Sequence, residues 1–179
     1  MITQTSYSLD EKNCIVSVDG DWDRYALEND AGDLFAEKIL GKSIYDFISG
    51  STTRAWFETI VQMVRMTRTP IERPYRCDSP TLKRYMKMRV SYDGERIHIV
   101  HDLLSVEERK EPVLIKHVSE YSRYHTSKHR CSSCGRVHQD GQWYDPDDAA
   151  LRRDELNLLV VAYVVCETCQ LLFPNGAGE

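Results

Sequence analysis

The stretch that decides the fold class of this 179-residue chain is residues 84–103, RYMKMRVSYDGERIHIVHDL. Side chains on one face of each run are mostly apolar; they are Met86, Met88 and Val90 before Asp93-Gly94, and Ile97, Ile99, His101 and Leu103 after it. Alternation with a period of two is typical of a strand with one buried face, and Asp-Gly between two such runs favours a tight hairpin turn. The sequence therefore predicts an antiparallel hairpin here.

Upstream of the hairpin the pattern predicts one short strand and then several helices. The strand covers residues 15–18 and stops at Asp19-Gly20, whereas residues 21–40 are helical only in patches and end at Gly41. Two further helices are predicted, a short one at residues 44–48 and a longer one at residues 53–67. The inward positions expected in these helices are Ala26, Leu34, Phe35, Ile39, Trp56, Ile60, Met63 and Val64.

This order of elements predicts an α+β fold in which short helices flank one face of an antiparallel sheet. We expect a flexible N-terminus over residues 1–11, a sheet-and-helix domain over residues 12–105, and a helical connector over residues 106–128. The connector helix rests on the spacing of Leu114, Val118 and Tyr121. A small ribbon-like module then covers residues 129–179, with a hairpin at residues 136–144, a helix within residues 146–156 and an apolar strand at residues 158–165.

Two C-x-x-C pairs in the last module predict a metal site. Their four cysteines are Cys131, Cys134, Cys166 and Cys169. Because each pair follows a predicted strand, two turns can present four thiolates to one ion, which is the tetrahedral donor set of a structural zinc site. Gly135 supplies the backbone freedom that such a turn requires. The sequence therefore predicts one zinc per chain, with Lys128, Arg130 and Arg136 as cations to offset the thiolate charge.

The alternatives for this cluster are a redox dithiol and an iron–sulfur or other metal centre. Neither pair is followed by histidine, which excludes covalent haem attachment, and a thioredoxin-type site would use one pair in a βαβ context. Four protein ligands leave no open position for a catalytic water. His129 and His138 are spare ligand candidates, which we expect at the surface instead.

Several stretches of the chain resemble a bacterial family of PAS domains, over roughly residues 12–105. The stretches are Asp19-Gly20-Asp21-Trp22 through Asn29, Leu40-Gly41-Lys42-Ser43-Ile44 with Phe47-Ile48, Arg76-Cys77-Asp78-Ser79-Pro80, and Arg84-Tyr85-Met86-Lys87-Met88. The cysteine-rich tail around Trp143 is similar to a segment that often accompanies such domains. The resemblance implies a five-stranded antiparallel sheet with short helices, and a sensory or protein-interaction module in bacterial signalling.

The candidate residues for a PAS ligand pocket or polar network are Trp22, Asn29, Trp56, Arg76, Asp78 and Arg84. For the two tryptophans the alternative is an ordinary aromatic core, and for Arg76, Asp78 and Arg84 it is a structural ion pair that orders the following turn. The photoreactive Asn-Cys-Arg motif of flavin-binding PAS domains is absent after Gly41. His98 and His101 are the histidines of the predicted sheet, and we expect both to have core or surface roles rather than to bind haem.

Composition and charge favour a cytoplasmic binding protein. Residues 51–100 carry ten basic and five acidic residues, a net +5, although the whole chain has a net charge of −5. This basic band lacks the interleaved aromatic residues of a base-stacking surface, and the cysteine module is acidic, so nucleic acid is an unfavoured partner. No enzyme motif with Ser, His and Asp, a phosphate loop or H-E-x-x-H is present, and the longest apolar run is too short for a membrane span.

The sequence thus predicts a non-enzymatic signalling sensor or adaptor that binds a signalling protein or a second copy of itself as a homodimer. A small-molecule PAS ligand of unknown identity is a further partner. The alternatives are a redox switch acting through the cysteine cluster and a nucleic-acid-binding regulator.

Overall fold

The computed structural model describes residues 3–29, 31–118, 128–148, 151 and 157–171. The chain divides into two compact units, and each is assembled from stretches that are far apart in sequence. The first unit contains Met1–Ser49, Phe57–Arg73 and Met86–Leu104, and the second contains Gly50–Trp56, Pro74–Tyr85 and Ser105–Glu179. The predicted domain boundary at residue 105 therefore does not coincide with the boundary between these units, because two stretches from the first half of the chain belong to the second unit.

The first sheet has five strands in the spatial order β2-β1-β5-β4-β3. Its strands are β1 (Gln4–Leu9), β2 (Ile15–Val18), β3 (Ile71–Arg76), β4 (Leu82–Tyr92) and β5 (Ile97–Glu108). All helical segments of the first half lie between β2 and β3 in the chain: α1 (Trp22–Glu28), the 3-10 turn Gly32–Leu34, α2 (Ala36–Ile39), the 3-10 turn Ile44–Phe47 and α3 (Ser51–Thr67). The prediction of an α+β fold with short helices and an antiparallel hairpin is confirmed.

The predicted flexible N-terminus is wrong for Gln4–Leu9, which forms the strand β1. This strand pairs antiparallel with both β2 and β5, and Leu9 lies opposite Ile97 in the register with β5. Leu9 and Ile97 are both fully buried. Little in the sequence indicates this strand, because its buried residues include the polar Thr5 and Ser8 beside Tyr7 and Leu9.

The core of the first unit lies between this sheet and the helices. The predicted inward residues Ala26, Ile39, Ile60 and Val64 are buried, as are the hairpin residues Met86, Met88, Val90, Ile97 and Ile99. The buried face of α3 is made by Phe57, Ile60, Val61 and Val64 rather than by Met63. Leu34 is 36% exposed. The predicted face of α3 is therefore confirmed at Ile60 and Val64, whereas Phe57 and Val61 take the buried places expected for Trp56 and Met63.

The second unit contains a mixed five-stranded sheet in the order β6-β10-β7-β8-β9. Its strands are β6 (Leu114–His117), β7 (His129–Cys131), β8 (Val137–Gln139), β9 (Gln142–Tyr144) and β10 (Leu158–Val164), followed by the helix α4 (Glu167–Leu171). The hairpin of β8 and β9 turns at Asp140-Gly141, both with positive φ, as predicted. The strand β10 pairs in parallel with both β6 and β7.

The predicted connector helix is wrong over its first turn, because Leu114–His117 forms β6. In the parallel register with β10, Ile115 lies opposite the buried Leu159, and Leu159 belongs to an apolar cluster with Val113, Val137, Leu151 and Val161. Pairing with this apolar strand outweighs the helical spacing of the local sequence. Residues 119–127 of the connector, and residues 149–150 and 152–156 of the predicted helix at 146–156, lie outside the described part of the chain.

Candidate metal centre

The two C-x-x-C pairs meet because the strands that precede them run in parallel. Val164 of β10 lies opposite Cys131 of β7, so both strands end at the same edge of the second sheet. Cys131 is the last residue of β7, Cys166 follows β10 by two residues, and Cys169 lies in α4. The prediction that two strand ends would close the cluster is confirmed.

The four sulfur atoms are arranged closely enough to share one metal ion. The Sγ atoms of Cys131, Cys134, Cys166 and Cys169 all lie within 4.8 Å of one another. The Sγ atoms of Cys134 and Cys166 are 3.9 Å apart. A tetrahedron with Zn–S bonds of about 2.3 Å has edges of roughly 3.8 Å, so this separation is compatible with zinc. Cys131, Cys166 and Cys169 are buried, whereas Cys134 is half-buried.

Backbone hydrogen bonds shape the turn that presents the first pair. We call residues 131–136 the knuckle. Within it the N–H of Cys131 donates to the carbonyl of Arg136, and the N–H of Gly135 donates to the carbonyl of Cys131. Gly135 has a φ of 72°, as the sequence predicted. The N–H of Cys166 points at Cys131 Sγ at 3.4 Å. An amide directed at sulfur is the support that a thiolate ligand requires.

The thiols differ in how readily they lose a proton. The hydrogen bond from Cys131 and the N–H groups of Arg136 lower the pKa of Cys134 to about 4. The same hydrogen bond and burial raise the pKa of Cys131, and burial raises the pKa of Cys169 to about 11. A metal ion binds the thiolate form, so an ion that binds Cys131 and Cys169 must displace their protons, and its binding releases protons.

The cation beside the cluster is Arg136. Its guanidinium donates to the sulfur of Cys134, and the charges of Cys134, Cys166 and Cys169 raise its pKa. Arg130 also lies at the knuckle, where its guanidinium donates to the Gly135 carbonyl and to the carboxylate of Asp78. Arg136 itself is exposed.

An apolar layer surrounds the cysteines. Val165 is buried with them, and Trp56 and Trp143 pack against the cluster while remaining partly exposed. Trp56, a candidate pocket residue in the sequence, therefore lies beside the cysteine cluster. His138 lies against Trp143, with 5.1 Å between ring centroids, and opposite His129 in the register of β7 and β8. Neither histidine is part of the sulfur cluster.

A second polar centre in the same unit is built on Asp78. Its carboxylate is 2% exposed and accepts hydrogen bonds from three guanidinium groups. Nη2 of Arg76 lies 2.7 Å from Oδ2, Nη2 of Arg109 lies 2.8 Å from it, and Nη2 of Arg130 lies 3.2 Å from it. Arg84 contributes only its backbone N–H to Asp78, at 3.4 Å. We call Asp78, Arg76, Arg109 and Arg130 the Asp78 network.

Two further carboxylates balance the arginines of the Asp78 network. Asp145 accepts from Arg76 Nη1 at 3.0 Å and from Lys83 at 3.3 Å. Burial opposes ionisation of Asp145, but hydrogen bonds and charge from Arg76 and Lys83 outweigh it and lower its pKa. Asp147 forms ion pairs with Lys83, at 2.7 Å, and with Arg109. Of the two uses considered for Arg76 and Asp78, these contacts match the structural ion pair.

Sequence reasoning missed Arg109 altogether and the pairing of Arg130 with Asp78. The guanidinium of Arg109 is fully buried, and that of Arg130 is 11% exposed. They lie 31 and 52 residues from Asp78 in the chain. No short-range pattern connects such positions. The available signal was that each arginine lies in or directly after a strand. An arginine that is buried there requires a carboxylate partner.

Trp22 and Asn29 belong to the first unit and have local roles there. The indole N–H of Trp22 donates to the carbonyl of Leu34 at 2.7 Å, and its ring packs edge-on against Tyr7. The side chain of Asn29 donates to the carbonyl of Tyr25 at the end of α1. The six residues predicted as one pocket or network are therefore divided between the two units.

A Ser–His–Asp chain in the first unit was also missed. Ser8 Oγ lies 2.9 Å from His98 Nδ1, and His98 Nε2 lies 2.7 Å from Asp93 Oδ2. Ser8 and His98 are cross-strand neighbours in the register of β1 and β5, and Asp93 begins the turn before β5. Ser8 is buried inside a strand that is paired on both sides, so its hydroxyl does not lie in an open site.

No protein-family model matches this chain, and no curated protein is significantly similar to it in sequence. Among the residues that the structure describes, none of the helices combines the length and the apolar character needed to cross a membrane.

Proposed function

We propose that this protein is a cytoplasmic, non-enzymatic sensor or adaptor of bacterial signalling, made of a PAS-like domain and a second unit that a structural zinc ion stabilises. The observation that carries the zinc assignment is the closed set of four sulfur atoms within 4.8 Å of one another. The PAS-like assignment is supported by the five-stranded sheet and by the placement of its helices between β2 and β3.

The zinc ion has a structural role in this proposal. Four thiolates fill a tetrahedral shell and leave no position for a reactive water. Cys131 and Cys134 hold one side of the ion, Cys166 and Cys169 hold the other, and Arg136 offsets part of the net negative charge. The ion stabilises the folded knuckle by about 10 kcal/mol of binding free energy, since an unfolded chain offers no preformed site.

Metal analysis of the full chain tests this assignment. Protein purified without chelators is expected to contain one zinc per chain, and Cys131→Ser is expected to lose it. Cys77→Ser is the matched control, because Cys77 is exposed and lies outside the sulfur cluster. Anaerobically purified protein that contains no zinc, or equal zinc in both variants, would contradict the proposal.

The proposed partner is another signalling protein or a second copy of this chain, rather than nucleic acid. Acidic side chains neutralise part of the basic band: Arg89 pairs with Asp102 at 2.9 Å, and Lys87 pairs with Glu72 at 3.5 Å. Such pairs reduce the positive field that a phosphate backbone requires. Light scattering of concentrated protein is expected to show a dimer. A monomer that binds DNA in a salt-sensitive manner would contradict this part.

A redox switch is the second candidate, and the partial exposure of Cys134 favours it. A thiolate within reach of solvent is the species that peroxide oxidises. Reversible zinc release at peroxide concentrations that oxidise the exposed Cys77 would support a switch. Retention of all zinc under these conditions would leave the site purely structural.

A further inference from the structure

We propose that the knuckle docks the chain segment of residues 74–80, so that metal binding at the four cysteines controls whether this segment is held in place. The inference rests on the proposed metal site and assigns it a regulatory output. The segment contains the Arg-Cys-Asp-Ser-Pro sequence that connects β3 to β4, and it belongs to the same unit as the knuckle.

The main contact is a backbone hydrogen bond at the end of β3. The N–H of Arg76 donates to the carbonyl of Ser133 at 2.7 Å. A longer bond of 3.4 Å connects the hydroxyl of Ser133 to the carbonyl of Pro74. Ser133 lies between the ligands Cys131 and Cys134. The groups that receive the segment are therefore part of the loop that a metal would close.

Close packing adds to this hydrogen bond. A Cβ placed on Gly135 would lie 3.1 Å from Cβ of Arg76, closer than ordinary van der Waals contact. The guanidinium of Arg130 connects the same two parts of the unit, since it donates to the Gly135 carbonyl at 3.2 Å and to Asp78 at 3.2 Å. The glycine thus permits both the turn conformation and the approach of the segment.

Another segment is held by the neighbouring residue of the knuckle. The hydroxyl groups of Ser132 and Thr53 are 2.5 Å apart, and Trp56 packs against the cysteines. The stretch Gly50–Trp56, like residues 74–80, is remote in sequence from the cysteines but belongs to their unit. Ser132 and Ser133 therefore hold both upstream stretches of the second unit.

Metal dependence follows from the size of the loop. Only two residues separate Cys131 from Cys134, so bonds from both sulfurs to one ion fix the carbonyl of Ser133 in direction. The free energy of metal binding also stabilises the folded knuckle. Without the ion, only the few hydrogen bonds of the knuckle hold it in its folded conformation. The acceptor for Arg76 then moves, whereas the segment's hairpin bonds do not depend on the metal.

Residue-resolved hydrogen exchange of the full chain tests this coupling. The Arg76 amide is expected to exchange roughly tenfold faster after zinc is removed by a chelator, because its bond to the knuckle is lost. The amide of Cys77 is the internal control, since it donates to the carbonyl of Arg84 within the hairpin at 3.0 Å. Equal protection of Arg76 with and without zinc would overturn the proposal.

A variant separates this effect from general unfolding of the unit. Gly135→Ala is expected to accelerate exchange at Arg76 when the variant is compared with unmodified protein at the same measured zinc content. Gly141→Ala is the matched control: Gly141 also has a positive φ, of 82°, but a Cβ there would have no neighbour within 4 Å. If the Arg76 amide exchanges at the same rate in both variants, the docking contact is refuted, even if removal of zinc unfolds the unit. Absence of zinc from the unmodified chain would instead refute the proposed metal site.

Discussion

Substitution of Asp78 by asparagine is expected to destabilise the second unit severely. The carboxylate is almost fully buried and is the shared acceptor of Arg76, Arg109 and Arg130. Asparagine has nearly the same shape but no charge, so three guanidinium groups lose their common counterion. The guanidinium of Arg109 is also fully buried, and solvent cannot replace the lost carboxylate.

The magnitude follows from the cost of leaving buried charge without its partner. Removal of one member of a buried ion pair costs about 3–5 kcal/mol, and the polar amide of asparagine keeps the expected loss for Asp78→Asn near the lower value. With a urea dependence of roughly 2 kcal/mol per molar, a loss of about 3 kcal/mol lowers the unfolding midpoint of this unit by about 1.5 M.

Tryptophan fluorescence can report this transition selectively. The chain has three tryptophans. Trp56 and Trp143 belong to the second unit and Trp22 to the first, so a Trp22→Phe background leaves signals from the second unit alone. Asp145→Asn is the matched control. Asp145 also binds Arg76, but it is 36% exposed, so solvent screening limits the expected loss to about 1 kcal/mol. Equal midpoints for the two variants would refute the argument that burial determines the cost.

Two further predictions concern the first unit. Burial lowers the pKa of His101 to about 4. Between pH 4 and 6.5 the unfolded chain therefore binds more protons at this residue than the folded chain does. The free energy of unfolding should thus rise with pH by at most ~3 kcal/mol across that interval. Urea unfolding at both ends of the interval measures the rise, which His101→Gln should reduce; an unchanged rise in the variant would contradict the assignment. Ser8 should not react with a fluorophosphonate probe, because it is buried in a strand that is paired on both sides. Mass spectrometry that finds a label on Ser8, absent from Ser8→Ala, would show a nucleophile.

The parts predicted correctly from sequence depend on local signals. The hairpin at Asp93-Gly94 and the turn at Asp140-Gly141 follow from turn residues between alternating strands, and both are present. The cysteine cluster was predictable for a similar reason. Each C-x-x-C pair is a short unit whose spacing alone places two sulfurs together, and an apolar strand leads to the second pair.

The parts that sequence reasoning missed depend on distant partners. Leu114–His117 is a strand because β10 lies beside it, and nothing within the four residues indicates that neighbour. The partners of Asp78 come from three places in the chain, so their grouping is a property of the topology. The discontinuous second unit has the same origin: Pro74–Tyr85 belongs to it through partners that are distant in sequence, namely Arg109, Arg130, Ser133 and Asp145.

The second unit depends on two charged centres because its parts are separate in sequence. The loop between the cysteine pairs is long, and its closure carries an entropic cost that one ion with four bonds can offset. The stretch of residues 74–85 needs another attachment, which the Asp78 network supplies. Arg130 belongs to this network and also holds the carbonyl of Gly135 in the knuckle. A change at the cysteine cluster or at the Asp78 network therefore affects the other through the guanidinium of Arg130. For this reason Asp78→Asn should also weaken zinc retention, although Asp78 is not a ligand. Timed exposure to a chelator measures the rate of zinc loss. Equal zinc loss from this variant and from unmodified protein would show that the two centres are independent.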